Sequence, residues 1–198
     1  MKTLEFVISA FILLCVGLAA CGGDRDIERQ LDRADAMMDH APDTALMLLD
    51  SMCVDRLGGG QRARYGLLYT KAATKNYTPL AYDSLIGMAV DYYAGRGDSL
   101  EIQSLYYQGE AYSYAGVLDT ALVSLHNAYD KAVAAGDSFY AAMSAREIAA
   151  IYTRLLIPRQ QLWWAEEAKK QFGDASKPVH AAWMDIMISY ALIFTHYY

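Results

Sequence analysis

Two arginines have the residue type and the spacing that suit a binding task. Arg146 and Arg154 lie about two helical turns apart, so on a helix both guanidinium groups project from one face. A guanidinium binds a carboxylate through two parallel hydrogen bonds. The pair therefore predicts a site for an acidic group of a ligand, with two ordinary surface arginines as the simpler interpretation.

No comparable set of residues indicates catalysis or metal binding. Ser99 lies in Gly97-Asp98-Ser99-Leu100, which resembles the signature of the GDSL hydrolases, but the Asp-x-x-His that activates the serine in that family is absent from the sequence. The four histidines are not spaced at i, i+4 from one another or from a cysteine. The glycine run 58–60 is not followed by the Lys-Ser/Thr of a phosphate-binding loop. We expect no catalytic residue, no metal and no cofactor.

The first residues have the pattern of an export signal. Lys2 precedes the uncharged, mostly apolar run 6–20, which is shorter than the roughly 20 residues that a membrane-spanning helix needs. Leu18-Ala19-Ala20-Cys21 resembles the lipobox of bacterial lipoproteins, in which the signal is removed and the cysteine is lipidated. The resemblance implies a signal peptide over 1–20, lipidation of Cys21, a tether over 21–26, and an exported lipoprotein anchored in the inner or outer membrane of a bacterial envelope. An ordinary cleaved signal and an N-terminal anchor helix are the alternatives.

The charge balance argues against nucleic acid as a partner. The chain has 17 Lys and Arg against 23 Asp and Glu, a formal net charge of -6, and the basic residues are scattered. A protein that binds nucleic acid needs a basic patch to neutralise phosphates. We therefore expect this segment to contact no nucleic acid.

Cys53 is the thiol that remains once Cys15 leaves with the signal and Cys21 carries lipid. A buried, inert cysteine is the simpler interpretation. An intermolecular disulfide is the alternative in an oxidising compartment.

A short phrase recurs along the second half of the chain. Gly97-Asp98 returns as Gly136-Asp137 and as Gly173-Asp174, at intervals of about 40 residues that hold two helices and two turns. Glycine suits the left-handed residue that ends a helix, and aspartate suits the N-cap of the next helix. Asp98 and Glu101 also have the spacing of a capping box. The phrase predicts a helix-turn-helix repeat.

The residues within each unit resemble the tetratricopeptide repeat (TPR), in which a large residue, a leucine, a small residue and a tyrosine follow one another at helical spacing. Two polar residues, Gln108 and Gln161, depart from that pattern. The resemblance implies an all-α fold, a TPR-like right-handed solenoid of antiparallel helix pairs. The residues that carry it are Leu105, Gln108, Gly109 and Tyr112, then Ala121, Leu125 and Ala128; Ala145, Ile148, Ala149 and Tyr152, then Gln161, Ala165 and Ala168; Trp183, Ile186, Met187 and Tyr190; and Gly66 with Tyr69.

The same patterns divide the chain. A degenerate or capping helix pair is expected over 27–56 and a glycine linker over 57–60. TPR-like repeats follow over 61–198, as the units 61–96, 97–135 and 136–173 and an incomplete unit 174–198.

The resemblance also indicates which side chains would contact a partner. In a TPR array the first helix of each pair lines the concave surface, so residues on that helix that point away from its pair are candidates. The candidates are Gln103, Tyr106, Glu110, Ser113, Met143, Arg146, Thr153 and Arg154.

The last helix carries an apolar face that includes Trp183, Tyr190 and Phe194. A stable array ends in a helix with a polar outer side, so an exposed apolar face at the end of this chain is unexpected. We expect either that the chain is truncated at its C-terminus or that it forms a homodimer through 180–198.

These expectations favour a non-catalytic protein-protein interaction module that binds a protein or peptide partner. By resemblance it would be a lipid-anchored TPR scaffold or the sensory half of a bacterial envelope or regulatory protein. The alternative is a lipoprotein that binds glycans or peptides for an outer-membrane uptake system. A glycan site needs an exposed aromatic platform, and the adjacent Trp163 and Trp164 supply one candidate because they face different directions on a helix.

Overall fold

The computed structural model describes residues 25–78 and 84–197, and within them the chain is helical with no strand. The predicted signal over 1–20 and Cys21 lie outside the described residues. The helices are α1 (25–37), α2 (Pro42–Asp50), α3 (Gly59–Lys75), α4 (Ser84–Tyr93), α5 (Ser99–Tyr114), α6 (Leu118–Ala135), α7 (Ser138–Arg154), α8 (Pro158–Asp174) and α9 (Pro178–Tyr197), with a short 3-10 turn at Val54–Arg56. The all-α prediction is confirmed.

The helices are arranged as a repeat. From α2 onward each helix packs against the next one along the chain, and α3, α5, α7 and α9 also contact one another in succession. Residues with positive φ recur at intervals of about 40 residues: Gly97, Gly136 and Ser176 precede α5, α7 and α9, and Tyr77, Gly116 and Leu156 follow α3, α5 and α7. Alternate helices therefore share one side of the molecule.

The predicted helix ends are confirmed at two of the repeated phrases. The Asp98 carboxylate accepts hydrogen bonds from the backbone N–H groups of Leu100 and Glu101 at 3.0 and 3.1 Å, and Asp137 accepts one from Tyr140 at 3.0 Å. Gly136 is the left-handed C-cap of α6 at φ 72°. These caps satisfy N–H and C=O groups that the helix cannot pair internally.

The third phrase and the glycine run differ from the prediction. Gly173 lies inside α8, and the left-handed residue before α9 is Ser176 at φ 55°. The linker predicted over 57–60 is wrong in its second half, because α3 begins at Gly59. The Gln61 side chain accepts a hydrogen bond from the Gly58 N–H at 3.1 Å and caps this helix start, where glycine costs less than in a helix interior.

The two unusual glutamines of the repeat pattern are satisfied by neighbouring helices. The Ser124 hydroxyl of α6 donates to the Gln108 side-chain oxygen at 2.9 Å. The Gln161 side chain is 4% exposed and donates to the Met187 carbonyl of α9 at 3.2 Å. Each bond offsets the cost of placing a polar group between helices.

The apolar core is continuous from α3 to α9, with a second cluster formed by α1, α2 and one face of α3. Cys53 lies after α2 and is exposed, so the prediction of a buried thiol is wrong.

None of the helices in the described ranges is long and apolar enough to cross a membrane.

Candidate binding cleft

A cleft of about 710 Å³ opens on the side shared by the alternate helices. Helices α3, α5 and α7 supply most of its lining, and the segments after α1 and before α9 complete it. The charged residues that line it are Lys71, Lys75, Arg146, Arg154 and Lys177, with Asp39, Glu110 and Glu147; the lining also includes tyrosines 77, 106, 107, 114 and 140.

Most of the concave-face candidates meet in this cleft. Tyr106, Glu110 and Ser113 of α5 line it together with Met143, Arg146 and Arg154 of α7. Gln103 and Thr153 lie outside it. The Gln103 side chain donates to the Ser99 hydroxyl at 2.8 Å, and the Thr153 hydroxyl donates to the Ala149 carbonyl at 2.9 Å.

The two arginines that suggested a shared carboxylate site have different surroundings. Arg146 is already paired inside the chain, because its Nε and Nη2 donate to one Glu147 carboxylate oxygen at 2.9 and 2.6 Å. Arg154 is exposed and donates to the carbonyl and hydroxyl oxygens of Ser113 at 2.9 and 3.1 Å. A ligand carboxylate at Arg146 would therefore share the guanidinium with Glu147, whereas Arg154 carries no carboxylate among the described residues.

Two cations of the cleft have no carboxylate partner among the described residues. Lys71, Lys75 and Arg146 are paired with carboxylates at 3.6, 2.9 and 2.6 Å. Among the residues that the structure describes, Arg154 donates to the two neutral oxygens of Ser113, and the Lys177 ammonium lies 5.7 Å from the centre of the Phe139 ring. These two cations are the groups most available to an acidic ligand.

The cleft is positive within an acidic chain. Its lining carries five basic side chains and three carboxyl groups, whereas the whole chain has a net charge of -6. A concave surface of opposite sign to the rest of a protein attracts ligands of the complementary charge. The lining thus favours negatively charged ligands.

Tyr106 and Glu110 form the floor of the cleft. Tyr106 has no exposed surface, so the prediction that it contacts a partner does not fit its position. Its hydroxyl accepts a hydrogen bond from Arg146 at 3.4 Å. Glu110 is 8% exposed, and burial together with the charge of Glu147 raises its pKa to about 8.

Replacing Glu110 by Gln should stabilise the protein at high pH. The pKa of Glu110 in the folded state lies above the ordinary value of 4.5. Folding therefore becomes less favourable as the pH rises from 4.5, where the unfolded chain loses this proton, to about 8, where the folded chain loses it. Urea unfolding should show Glu110→Gln to be more stable than the unmodified chain by about 1 kcal/mol or more at pH 9, with little difference at pH 5. An equal difference at both pH values would contradict this assignment.

One polar group of the lining lacks a partner. Thr74 of α3 is 8% exposed, and its hydroxyl has no hydrogen-bond partner among the described residues. A buried hydroxyl without a partner costs free energy of folding.

The two adjacent tryptophans lie outside the cleft. Trp163 of α8 is 53% exposed and Trp164 is 6% exposed, which confirms that one of the two is near the surface. Trp164 packs against His126 and Tyr129 at ring distances of 4.8 and 5.1 Å. Neither tryptophan lines the cleft.

No family model, curated protein or solved structure significantly matches this chain. In the described ranges no group of three or more His, Cys, Asp or Glu side chains is placed to hold a metal ion.

Proposed function

We propose that this chain is a non-catalytic protein-protein interaction module of the TPR type, and that its cleft binds an acidic peptide segment of a partner protein. In this proposal the helices form a right-handed solenoid of antiparallel pairs, with α3, α5 and α7 on the concave side. Lipid on Cys21 would anchor the module in a bacterial envelope membrane, where it would act as a scaffold or as the sensory half of a regulatory protein.

The charge distribution of the cleft is the main support for an acidic ligand. Arg154 and Lys177 are basic, lack carboxylate partners among the described residues, and line a cleft whose other charges are largely paired. The exposed tyrosines at its edge, Tyr77 and Tyr114, offer rigid contact area for peptide side chains.

Binding of peptide pools tests the proposal without a known partner. Fluorescein-labelled random peptides rich in Asp and Glu, neutral, or rich in Lys would be titrated with the chain by fluorescence anisotropy. We expect the acidic pool to bind and its affinity to fall with added salt, because exposed ionic contacts are screened. The double variant Arg154→Ala/Lys177→Ala should bind about tenfold more weakly or worse, as expected for the loss of charge-assisted hydrogen bonds.

The matched control is Arg159→Ala/Lys170→Ala, which removes the same two residue types from exposed positions on α8 outside the cleft. This variant has the same net charge as the test variant, so a nonspecific charge effect would weaken both equally. Preference for the basic pool, no binding by any pool, or equal loss in both variants would refute the acidic-peptide site.

The alternative of a glycan-binding lipoprotein has less support, because the exposed Trp163 lies on α8 outside the cleft. An oligosaccharide stacked on this ring would change the tryptophan fluorescence. We expect no response to a broad oligosaccharide panel. A saturable response that Trp163→Ala abolishes would favour the glycan function instead.

A further inference from the structure

Helix α9 carries an exposed apolar seam that runs along its described length. Val179, Trp183, Ile186, Tyr190 and Ile193 follow one another at alternating steps of four and three residues. Their exposed fractions are 66, 62, 54, 58 and 55%. Apolar residues at this spacing form the contact stripe of paired helices. The opposite side of α9, at Met184 and Ala191, is buried against the preceding helices.

The apolar area of this side is larger than a monomer normally exposes. Phe194 flanks the seam and is 43% exposed. At about 150–250 Å² for a large side chain, these six half-exposed residues present roughly 650 Å². The largest apolar patch of a typical monomer is about 300–600 Å², and a stable interface buries about 800 Å² on each partner. The seam therefore has the size of half an interface.

Charge does not oppose contact between two copies of the seam. Asp185 is the single Asp, Glu, Lys or Arg of α9, and its carboxylate is bound to Lys169 of α8 at 2.6 Å. Two such helices face to face would bring no like charges together, although the chain as a whole has a net charge of -6. Contact between two copies of α9 therefore adds no repulsion between unpaired ionised side chains of the helix.

We propose that α9 pairs with α9 of a second copy as an antiparallel, two-fold symmetric helix pair. This arrangement places Val179 of one copy beside Ile193 of the other, Trp183 beside Tyr190, and Ile186 beside its own counterpart at the two-fold axis. Self-complementary contact of this kind is what a two-fold interface requires.

Cavities near each half of the seam fit the proposed packing. A cavity of about 390 Å³ lies beside Val179, Trp183 and Ile186, and one of about 460 Å³ lies beside Tyr190 and Phe194. In the antiparallel pair, Trp183 of each copy approaches the larger cavity of the other. The Trp183 side chain of each copy thus meets open space rather than a filled surface.

The self-association of Ile186 variants tests the proposal. The purified chain would be followed by light scattering after size exclusion over a range of concentrations up to about 50 µM, since interfaces of standard size have micromolar or lower dissociation constants. We expect a dimer, and at least a tenfold weaker dimer for Ile186→Glu. Val123→Glu is the matched control, because Val123 is a 62% exposed apolar residue on α6, away from the seam.

A charge swap at residue 186 distinguishes pairing of α9 with itself from other causes of a lost dimer. Ile186→Glu and Ile186→Lys should each be monomeric, and an equal mixture of the two should regain the dimer, because the two-fold axis places residue 186 opposite itself. Circular dichroism shows whether each variant is folded, and Ile193→Glu is the second variant if Ile186→Glu is not. A monomeric unmodified chain, a dimer that Ile186→Glu leaves intact, or a mixture that stays monomeric would overturn the proposal.

Discussion

The Gly66→Ala variant is expected to lose about 2 kcal/mol or more of unfolding free energy, because one methyl group would force α3 and α4 apart. A Cβ on Gly66 would overlap the backbone carbonyl of Leu85 on α4, with the carbonyl carbon only 2.9 Å away. Backbone cannot move aside as a flexible side chain can. The loss should exceed the roughly 1 kcal/mol that alanine gains over glycine in a helix.

Gly87→Ala is the matched control, since Gly87 lies on α4 of the same helix pair and a Cβ there has nothing within 4 Å. This change should stabilise the chain by about 0.5–1 kcal/mol through helix propensity alone. Thermal unfolding of the two variants should therefore shift in opposite directions. A Gly66→Ala variant as stable as the unmodified chain would show that the two helices are not packed at this distance.

Replacing Glu101 by Gln is expected to cost about 3 kcal/mol at pH 7. Glu101 is 4% exposed. Its carboxylate accepts hydrogen bonds from the N–H groups of Gly95 and Gly97 at 2.9 and 2.7 Å, and it is paired with Lys131 of α6 at 2.9 Å. An amide keeps one acceptor oxygen, loses the charge and brings an N–H₂ group toward a backbone donor. The turn between α4 and α5 would lose its main polar contact with α6.

The pH dependence of the unfolding free energy shows whether the ionised Glu101 carboxylate is the source of this stability. Although burial of Glu101 opposes ionisation, Lys131 and the two glycine N–H groups outweigh it and lower the pKa to about 2. The stabilisation is fully present above the ordinary pKa of 4.5 and is lost as the pH falls toward 2. Urea unfolding at pH 7 and pH 3 should therefore show a smaller difference between Glu101→Gln and the unmodified chain at pH 3. A difference that does not change with pH would exclude an ionised Glu101 as its source.

The helix ends could be predicted from sequence where the chemistry is local. Asp98, Asp137 and Gly136 act within one turn of their own position, so their residue types were sufficient. Glu101 was expected to close a capping box, but its carboxylate reaches past the N-cap residue to Gly95 and Gly97. That contact depends on how the preceding turn folds back, which residue spacing does not specify.

Glycine was the least reliable signal. Glycine begins a helix at Gly59, lies in the last turn of a helix at Gly173, and allows α3 to approach α4 closely at Gly66. Glycine permits a left-handed turn but does not require one. The actual left-handed residue before α9 is Ser176, whose type carries only a weak signal for that conformation.

The cleft could be predicted only in part. The helical spacing of α5 and α7 predicted that Glu110 and Arg146 lie on one side. The spacing did not predict the partner of Arg146, which is the next residue, Glu147, because adjacent helix residues normally face apart. Lys71, Lys75 and Lys177 come from other repeats and reach the cleft through the packing of alternate helices. A repeat pattern gives the order of helices but not which distant charges remain unpaired.

Site-specific photo-crosslinking tests the cleft most directly. A benzophenone amino acid would replace Tyr114, a 57% exposed residue of the cleft, or Trp163, a 53% exposed residue of α8 outside it. Each protein would be irradiated with the labelled acidic peptide pool, with and without Arg154→Ala/Lys177→Ala. We expect crosslinks from position 114 that the double substitution removes, and none above background from position 163. Crosslinks from position 163 but not from 114, or a yield at 114 that the double substitution leaves unchanged, would contradict peptide binding in this cleft.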